Sequence, residues 1–201
     1  MMALFFGKSS DALQSIIHAF ISPPARILDT TYGEGKSWKG VQLSSLFGNF
    51  ELVTMDKRRL DGVSIVANLG EPLPFEEKSF DCVYFDPPYF MEDMTESGSS
   101  GGFQREEVWW TRGEFYKVLS NLSIEIPRIL KPNGIFIIKV MDFYWEDTYF
   151  PSAFELYRKL YSVLESRATF ITPIQRSWQA GTTLVRANFI YYLVMKQRRD
   201  I

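Results

Sequence analysis

Asp86-Pro87-Pro88-Tyr89 brings a carboxylate, a stiffened backbone and an aromatic ring together in four residues. Two consecutive prolines fix φ and withhold two N–H donors, so the chain after Asp86 is rigid and its carbonyls have no local helical partner. Such a segment holds a carboxylate, a carbonyl and a ring face in fixed mutual positions. An exocyclic amino group on a planar base asks for that set, because its two N–H bonds need two acceptors and its ring a stacking surface. A rigid turn in which Asp86 caps nearby N–H groups uses the same four residues, and the tetrapeptide alone does not separate the two readings.

A second group starts at Asp29, which ends an apolar run and is followed by Thr30, Thr31, Tyr32, Gly33, Glu34 and Gly35. Gly33 and Gly35 permit φ > 0 and a close approach of backbone to ligand, and a helix is expected from Lys36. Phosphate binding is disfavoured. The third glycine of the dinucleotide fingerprint is missing, and Gly35-Lys36-Ser37 lacks the earlier glycine of a P-loop, with Thr30 and Thr31 in its place. Asp56 ends another apolar run, where a carboxylate can accept the hydroxyls of a ribose; a solvated acid paired with Lys57 or Arg58 is the alternative.

These acids are positioned by short apolar runs that each close on a carboxylate or a turn, the pattern of buried parallel strands. The runs cover residues 25–28, 51–55, 63–67, 82–85 and 135–140, the last after the turn Lys131-Pro132-Asn133-Gly134. Helical spacing appears at Leu13, Ile16, Ile17 and Phe20, and again at Phe115, Val118, Leu119, Leu122 and Ile126, with Pro127 expected to kink or end that helix. Ser152 with Glu155 resembles a capping box for a further helix carrying Tyr157, Leu160, Tyr161 and Leu164. Strands near 167–171 and 187–195 are expected to pair antiparallel at the sheet edge. The alternation predicts one α/β domain over residues 1–201, with a mostly parallel sheet and its ligand at the carboxyl ends of the strands.

Residues 91–112 break the pattern with Ser97-Gly98-Ser99-Ser100-Gly101-Gly102, five acids, two arginines (Arg105, Arg112) and the pair Trp109-Trp110. A long irregular segment in such a domain is expected to be a mobile lid or binding loop. Its net charge of −3 is awkward beside a phosphate backbone, and Lys57, Arg58, Arg59, Arg105, Arg112 and Arg176 offset it if they share a face.

The whole chain of 201 residues has 22 basic and 24 acidic side chains, a formal charge of −2, which excludes a wholesale basic nucleic-acid coat. One cysteine (Cys82) and one histidine (His18) exclude zinc-fold, disulfide-scaffold and Cys-His protease chemistry, and no metal site is expected. Cys82 reads as a small buried strand residue and His18 as a helix-surface or cap residue. With no long apolar stretch and no signal-peptide pattern, a soluble, cytoplasmic protein with no membrane partner is expected.

In order and spacing, Ile27-Leu28-Asp29, Tyr32-Gly33-Glu34-Gly35, Asp56, Leu73-Pro74-Phe75, Ser79-Phe80-Asp81, Asp86-Pro87-Pro88-Tyr89 and Leu130-Lys131-Pro132-Asn133-Gly134 resemble the class I S-adenosylmethionine-dependent methyltransferases. The tetrapeptide is similar to that of the amino-methyltransferases of exocyclic base amines. Lys8-Ser9-Ser10 also resembles the segment that contacts the methionine end of the cofactor in that family, and residues 188–194 its last strand. The resemblance covers residues 8–196. It implies a Rossmann-like fold with a mostly parallel seven-stranded sheet and an antiparallel edge hairpin, and S-adenosylmethionine as cofactor. The implied cofactor contacts are Lys8, Ser9, Asp29, Thr30, Tyr32, Gly33, Gly35, Asp56, Lys57, Asn68, Leu69 and Asp86, with Asp86, Pro87, Pro88 and Tyr89 catalytic. Departures are Asp29-Thr30-Thr31 where the family has Asp-Pro-Phe, the charges of Glu34 and Lys36 in the glycine turn, and Asn68 where an acid is usual.

The implied reaction is methyl transfer to an exocyclic base amine, adenine N6 in DNA being favoured over cytosine N4 because Asp rather than Ser precedes the prolines. An RNA methyltransferase acting on a guanine or adenine amine and a catalytically silent cofactor-binding subunit are the alternatives; protein glutamine methylation fits less well, since Asn is typical there at the position of Asp86. No separate target-recognition domain is visible, so recognition falls to residues 91–112, to the Tyr144 to Tyr149 turn, to a second copy of the chain or to another partner.

Overall fold

Alternate residues of the apolar runs face opposite sides of a strand, and each run supplies two cores. In the computed structural model, which describes residues 1–43, 49–88, 111–145, 148–173 and 189–198, five runs form β2 (Ala25–Asp29), β3 (Phe50–Asp56), β4 (Ile65–Val66), β5 (Phe80–Phe85) and β6 (Leu130–Met141). Ile27, Cys82, Tyr84, Ile135 and Ile137 pack on one side with α1 (Ser9–Phe20). Leu28, Val83, Phe85, Phe136 and Ile138 pack on the other with α2 (Arg112–Ile129) and α3 (Ser152–Leu160). Each fully buried Leu, Ile or Phe stabilises by about 1.5–3 kcal/mol, so the sheet is held from both faces, as parallel sheets require.

With β1 (Met2–Leu4), β9 (Leu164–Pro173) and β10 (Phe189–Gln197), the main sheet runs β1-β9-β10-β6-β5-β2-β3-β4. β2 pairs parallel with both β3 and β5, so the strand order reverses at β2/β5 and opens a crevice at their carboxyl ends. β7 (Phe143–Trp145) and β8 (Thr148–Phe150) form a separate antiparallel hairpin that follows the carboxyl end of β6.

The seven expected strands are present, and β10 pairs antiparallel with β9 as anticipated. The pair is not at the edge, however: β10 lies between β9 and β6, and β1 adds an eighth strand outside β9. The turn at 131–134 is a bulge inside β6, because Phe80 aligns with Leu130 and Cys82 with Ile135, and Asn133 adopts φ 66° there. Pro127 does not end α2. Two residues follow it within the helix, so its missing N–H costs one bond near the end, while Leu122, Ile126 and Ile129 stay buried.

The helix expected from Lys36 is one 3-10 turn, Lys36–Trp38, held by side chains described below. Nor does Ser152 cap α3. The N-cap is Pro151, Ser152 Oγ donates to the Met141 carbonyl at 2.8 Å, and the Ala153 N–H goes to Asp142 Oδ1 at 3.0 Å. Glu155 pairs with Arg158 instead. A true capping box sits on α2, where Thr111 Oγ1 accepts the Glu114 N–H and Glu114 accepts the Thr111 N–H.

Candidate functional site

Three carboxylates close three neighbouring strands at the point where the order reverses. Asp29 on β2 is level with Thr54 of β3 and Tyr84 of β5. Asp56 and Asp86 each lie two residues beyond those partners. The acids therefore crowd one end of the sheet, and Asp29, 1% exposed, registers this most strongly. Burial pushes its carboxyl up to about 7; hydrogen bonds from Trp38 and Thr31 oppose the rise, and the charges of Asp86 and Asp56 add to it.

The glycine turn is built around these acids. Gly33 at φ 56° donates its N–H to Asp56 Oδ2 at 2.9 Å, while Asp56 Oδ1 accepts the Arg58 N–H at 2.9 Å and Arg58 Nε at 3.1 Å. Asp56 thus shares features of both readings: it is buried at a strand end, and it is paired with Arg58. Gly35 at φ 70° lies under the Tyr32 ring, where a Cβ would come within 2.6 Å of Tyr32 Oη. Only glycine meets both demands, the left-handed backbone and the close approach.

The 3-10 turn then ties the glycine segment to the strand ends. Trp38 Nε1 donates to Asp29 Oδ2 at 2.5 Å, and Ser37 Oγ donates to Asp86 Oδ2 at 2.5 Å. Asp86 Oδ2 also accepts Lys139 Nζ from β6 at 2.7 Å and Tyr84 Oη at 3.2 Å. The Asp86 N–H goes to Thr31 Oγ1 at 2.8 Å. Among the described residues, the donors to Asp86 Oδ2 come from β5, β6 and the 3-10 turn. Pro87 is buried and Pro88 half-buried beside it, and Tyr89 lies outside the described residues.

Other expected residues are spread around this centre. Thr30 is buried and bonds the Tyr84 carbonyl through both its N–H and its hydroxyl, fastening β2 to β5. Ser9, in the first turn of α1, shares a 2.6 Å hydrogen bond with Tyr192 Oη, which also donates to the Ser9 carbonyl. Burial raises the Tyr192 phenol above its ordinary range. Lys8 is the exposed N-cap of α1, its N–H on Asp11. Lys57 is exposed on the loop after β3. Asn68, exposed after β4, turns its own loop through a 2.9 Å bond from the Gly70 N–H, and Leu69 is buried with its carbonyl on Asn121 Nδ2.

Cys82 is buried on β5, where burial pushes its thiol well up, and His18 sits in the last turn of α1, the places expected for both. Residues 91–110, with Arg105 and Trp109-Trp110, and Arg176 fall outside the described residues, as do the side chains of Arg112 and Tyr144.

Three parts of the site were not anticipated from sequence. Lys139 interrupts the apolar run 135–140 and is 8% exposed. Asp142, 5% exposed, gathers Tyr149 Oη at 2.6 Å, Ser152 Oγ at 3.3 Å and the Ala153 N–H, so it joins the hairpin β7–β8 to the start of α3. Glu125 and Arg128 of α2 hold the loop Leu73-Pro74-Phe75: Glu125 Oε2 accepts the Leu73 N–H, and Arg128 donates to the carbonyls of Leu73 and Phe75. Their mutual hydrogen bond keeps the Glu125 carboxyl below its usual range.

No family model matches the chain, and no curated protein does. Among solved structures it is similar to a SAM-dependent methyltransferase from Methanosarcina mazei, at 13% identity and a TM-score of 0.56 over 90% of this chain and 96% of that one. It is also similar to the 1,6-didemethyltoxoflavin-N1-methyltransferase of Burkholderia thailandensis, solved with 1,6-didemethyltoxoflavin and S-adenosylhomocysteine (13%, TM-score 0.53, 95% and 79% of the chains). A third is the N-methyltransferase NodS of Bradyrhizobium japonicum WM9 in complex with S-adenosylhomocysteine (11%, TM-score 0.55, 95% and 86%). The fold is thus the Rossmann-like fold of these methyltransferases.

Proposed function

We propose that this chain is an S-adenosylmethionine-dependent methyltransferase whose methyl acceptor is an exocyclic amine of a nucleic-acid base, adenine N6 in DNA first among them. The observation that carries this reading is the place of Asp86-Pro87-Pro88: it leaves β5 at the reversal point, one strand from the glycine turn. Of the three neighbours described above, two are titled N-methyltransferases, and both were solved with S-adenosylhomocysteine.

The residues present suit that cofactor. Gly33 and Gly35 leave a side-chain-free turn with left-handed backbone, and a Cβ at Gly35 would fill the space taken by Tyr32. Asp29, Asp56 and Asp86 gather at the strand ends beside that turn, Asp56 paired with Arg58 and Asp86 with Lys139. Asp56 would lie against the ribose and Asn68 against the adenine amine; Ser9 and Lys8 would flank the methionine end. S-adenosylmethionine supplies a methyl group made electrophilic by its sulfonium.

An exocyclic amine is a poor nucleophile because its lone pair is delocalised into the ring. Asp86 and the Pro87 carbonyl each accept one of its N–H bonds, which favours a tetrahedral nitrogen, aims the lone pair and stabilises the positive charge that develops. Holding two reactants in this way supplies about 7–11 kcal/mol of the barrier. Tyr89 stacks on the base, worth about 1–3 kcal/mol, comparable with the few kcal/mol that unstacking a base from a duplex costs. The hairpin β7–β8 and residues 91–112 provide target recognition, alone or with a partner.

The test is to incubate the protein with methyl-labelled S-adenosylmethionine and separate pools of double-stranded DNA, single-stranded DNA and RNA, then to identify the labelled nucleoside by mass spectrometry. Labelled N6-methyladenine from DNA, lost in Asp86→Ala with cofactor binding retained, is expected. Label in RNA alone replaces the polymer, and absence of label despite measurable cofactor binding points to a missing partner or a silent subunit. Equal loss of transfer and cofactor binding in Asp86→Ala makes the acid structural.

A further inference from the structure

Lys139 is a costly residue where it stands. It follows Ile135, Phe136, Ile137 and Ile138 on a strand buried from both sides, and its side chain is 10% exposed. Taking a lysine and a carboxylate out of water costs several kcal/mol per ion, and a hydrophobic pair of similar volume often serves stability as well or better. Stability therefore does not account for a lysine here. Its partner is the one carboxylate on which the proposed chemistry depends.

Lys139 Nζ lies 2.7 Å from Asp86 Oδ2 and 3.3 Å from Ser37 Oγ, which itself donates to the same oxygen at 2.5 Å. Tyr84 Oη adds a third donor at 3.2 Å. The three come from β6, the 3-10 turn and β5, so they approach Oδ2 from different elements and restrain both torsions of the short Asp86 side chain. Asp86 also stands beside two further acids at the strand ends, against which the Lys139 ammonium is its counter-charge.

We propose that Lys139 is a positioning residue for methyl transfer: by holding Asp86 Oδ2, with Ser37 in support, it fixes the direction in which the Asp86 carboxylate receives the acceptor amine. This rests on the methyl-transfer reading above and deepens it. The ammonium touches the acid and need not touch substrate, so its loss acts on the rate of the bound complex and leaves cofactor affinity alone. The same geometry makes the effect of Lys139 conditional on Asp86. Without the carboxylate, nothing is left for the lysine to aim.

Lys139→Met is compared with wild type for kcat, KM for DNA and cofactor dissociation constant by calorimetry. A misplaced reacting group costs about 100-fold, so kcat is expected to fall by about 100-fold with cofactor affinity unchanged, and Lys139→Arg is expected to recover part of the loss. An unchanged kcat, or a parallel fall in cofactor affinity, overturns the proposal. Should Lys139→Met fail to fold, Ser37→Ala removes a second donor to the same oxygen and is expected to lower kcat about fivefold, the value of one average hydrogen bond; no change overturns it.

In the Asp86→Asn background, adding Lys139→Met is expected to change residual transfer little, whereas a full independent loss refutes action through Asp86. If the wild-type protein methylates no nucleic acid, the substrate reading fails by itself. The positioning claim is then read from the carboxylate carbon resonance of Asp86 in aspartate-labelled protein: Lys139→Met must shift it, and an unmoved resonance overturns the claim.

Discussion

Asp29→Asn isolates what it costs to bury a carboxylate among its neighbours. In the folded protein the Asp29 carboxyl is raised from 3.8 to about 7, chiefly by burial. The folded state therefore binds a proton that the unfolded chain has released between those two values, so stability falls as pH rises through that window. At about 1.4 kcal/mol per pKa unit the full cost is about 4 kcal/mol, complete near pH 8 and absent below pH 3. Asparagine removes that titration but offers one oxygen to two donors, Trp38 Nε1 and the Thr31 N–H. The unmatched donor costs about 1–3 kcal/mol at every pH. The variant should thus be less stable than wild type below pH 4 and more stable by roughly 1–3 kcal/mol at pH 8. Urea unfolding of both proteins at half-unit pH steps gives the difference curve, in which the titrations of all other groups cancel. Parallel curves from pH 4 to 8 would falsify the assignment of the raised carboxyl to Asp29, and a difference that grew toward acid pH would reverse its sign.

Gly35→Ala places a side chain at φ 70° against the Tyr32 ring; a destabilisation of about 1–2 kcal/mol is expected from the left-handed backbone, with weaker S-adenosylmethionine binding by calorimetry, and unaltered binding would count against the glycine turn as the cofactor cradle. Asp142→Ala strips the Ala153 N–H, Tyr149 and Ser152 of their shared acceptor. A loss of about 2 kcal/mol in denaturant unfolding is expected, and hydrogen exchange should quicken at the start of α3; if exchange there is unchanged, the cap lies elsewhere.

The three acids were legible in the sequence because parallel strands buried on both faces read as unbroken apolar runs, and Asp29, Asp56 and Asp86 are where those runs stop. What surrounds the acids was less so. Lys139 sits inside such a run, and its partner is 53 residues away, a pairing that only the adjacency of β5 and β6 creates. The Ser152-Glu155 spacing matched a capping pattern, yet the Glu155 N–H it should have served bonds the Pro151 carbonyl, and Asp142 from the end of the preceding strand takes the Ala153 N–H. Lys36 onward was expected to be helical from the glycine turn before it, but Ser37 and Trp38 spend that turn reaching two carboxylates. β1 is three residues long, too short to leave a periodicity, and is defined by its pairing with Thr169, Phe170 and Ile171.

The place of β10 also orders events during synthesis. It is the last strand of the described chain, yet it fills an interior position, pairing Ile190 through Lys196 with β6 on one side and Phe189 through Gln197 with β9 on the other. Until residues 189–197 leave the ribosome, β6 presents an unpaired edge that includes Phe136, Ile137 and Ile138, the sort of edge on which growing chains stick to one another. The same strand brings Tyr192 to Ser9 across 183 residues. Closure of the sheet on β6 and the tie from Tyr192 to Ser9 of α1 are therefore one long-range event, and chains that have not yet made β10 are the ones exposed to such sticking.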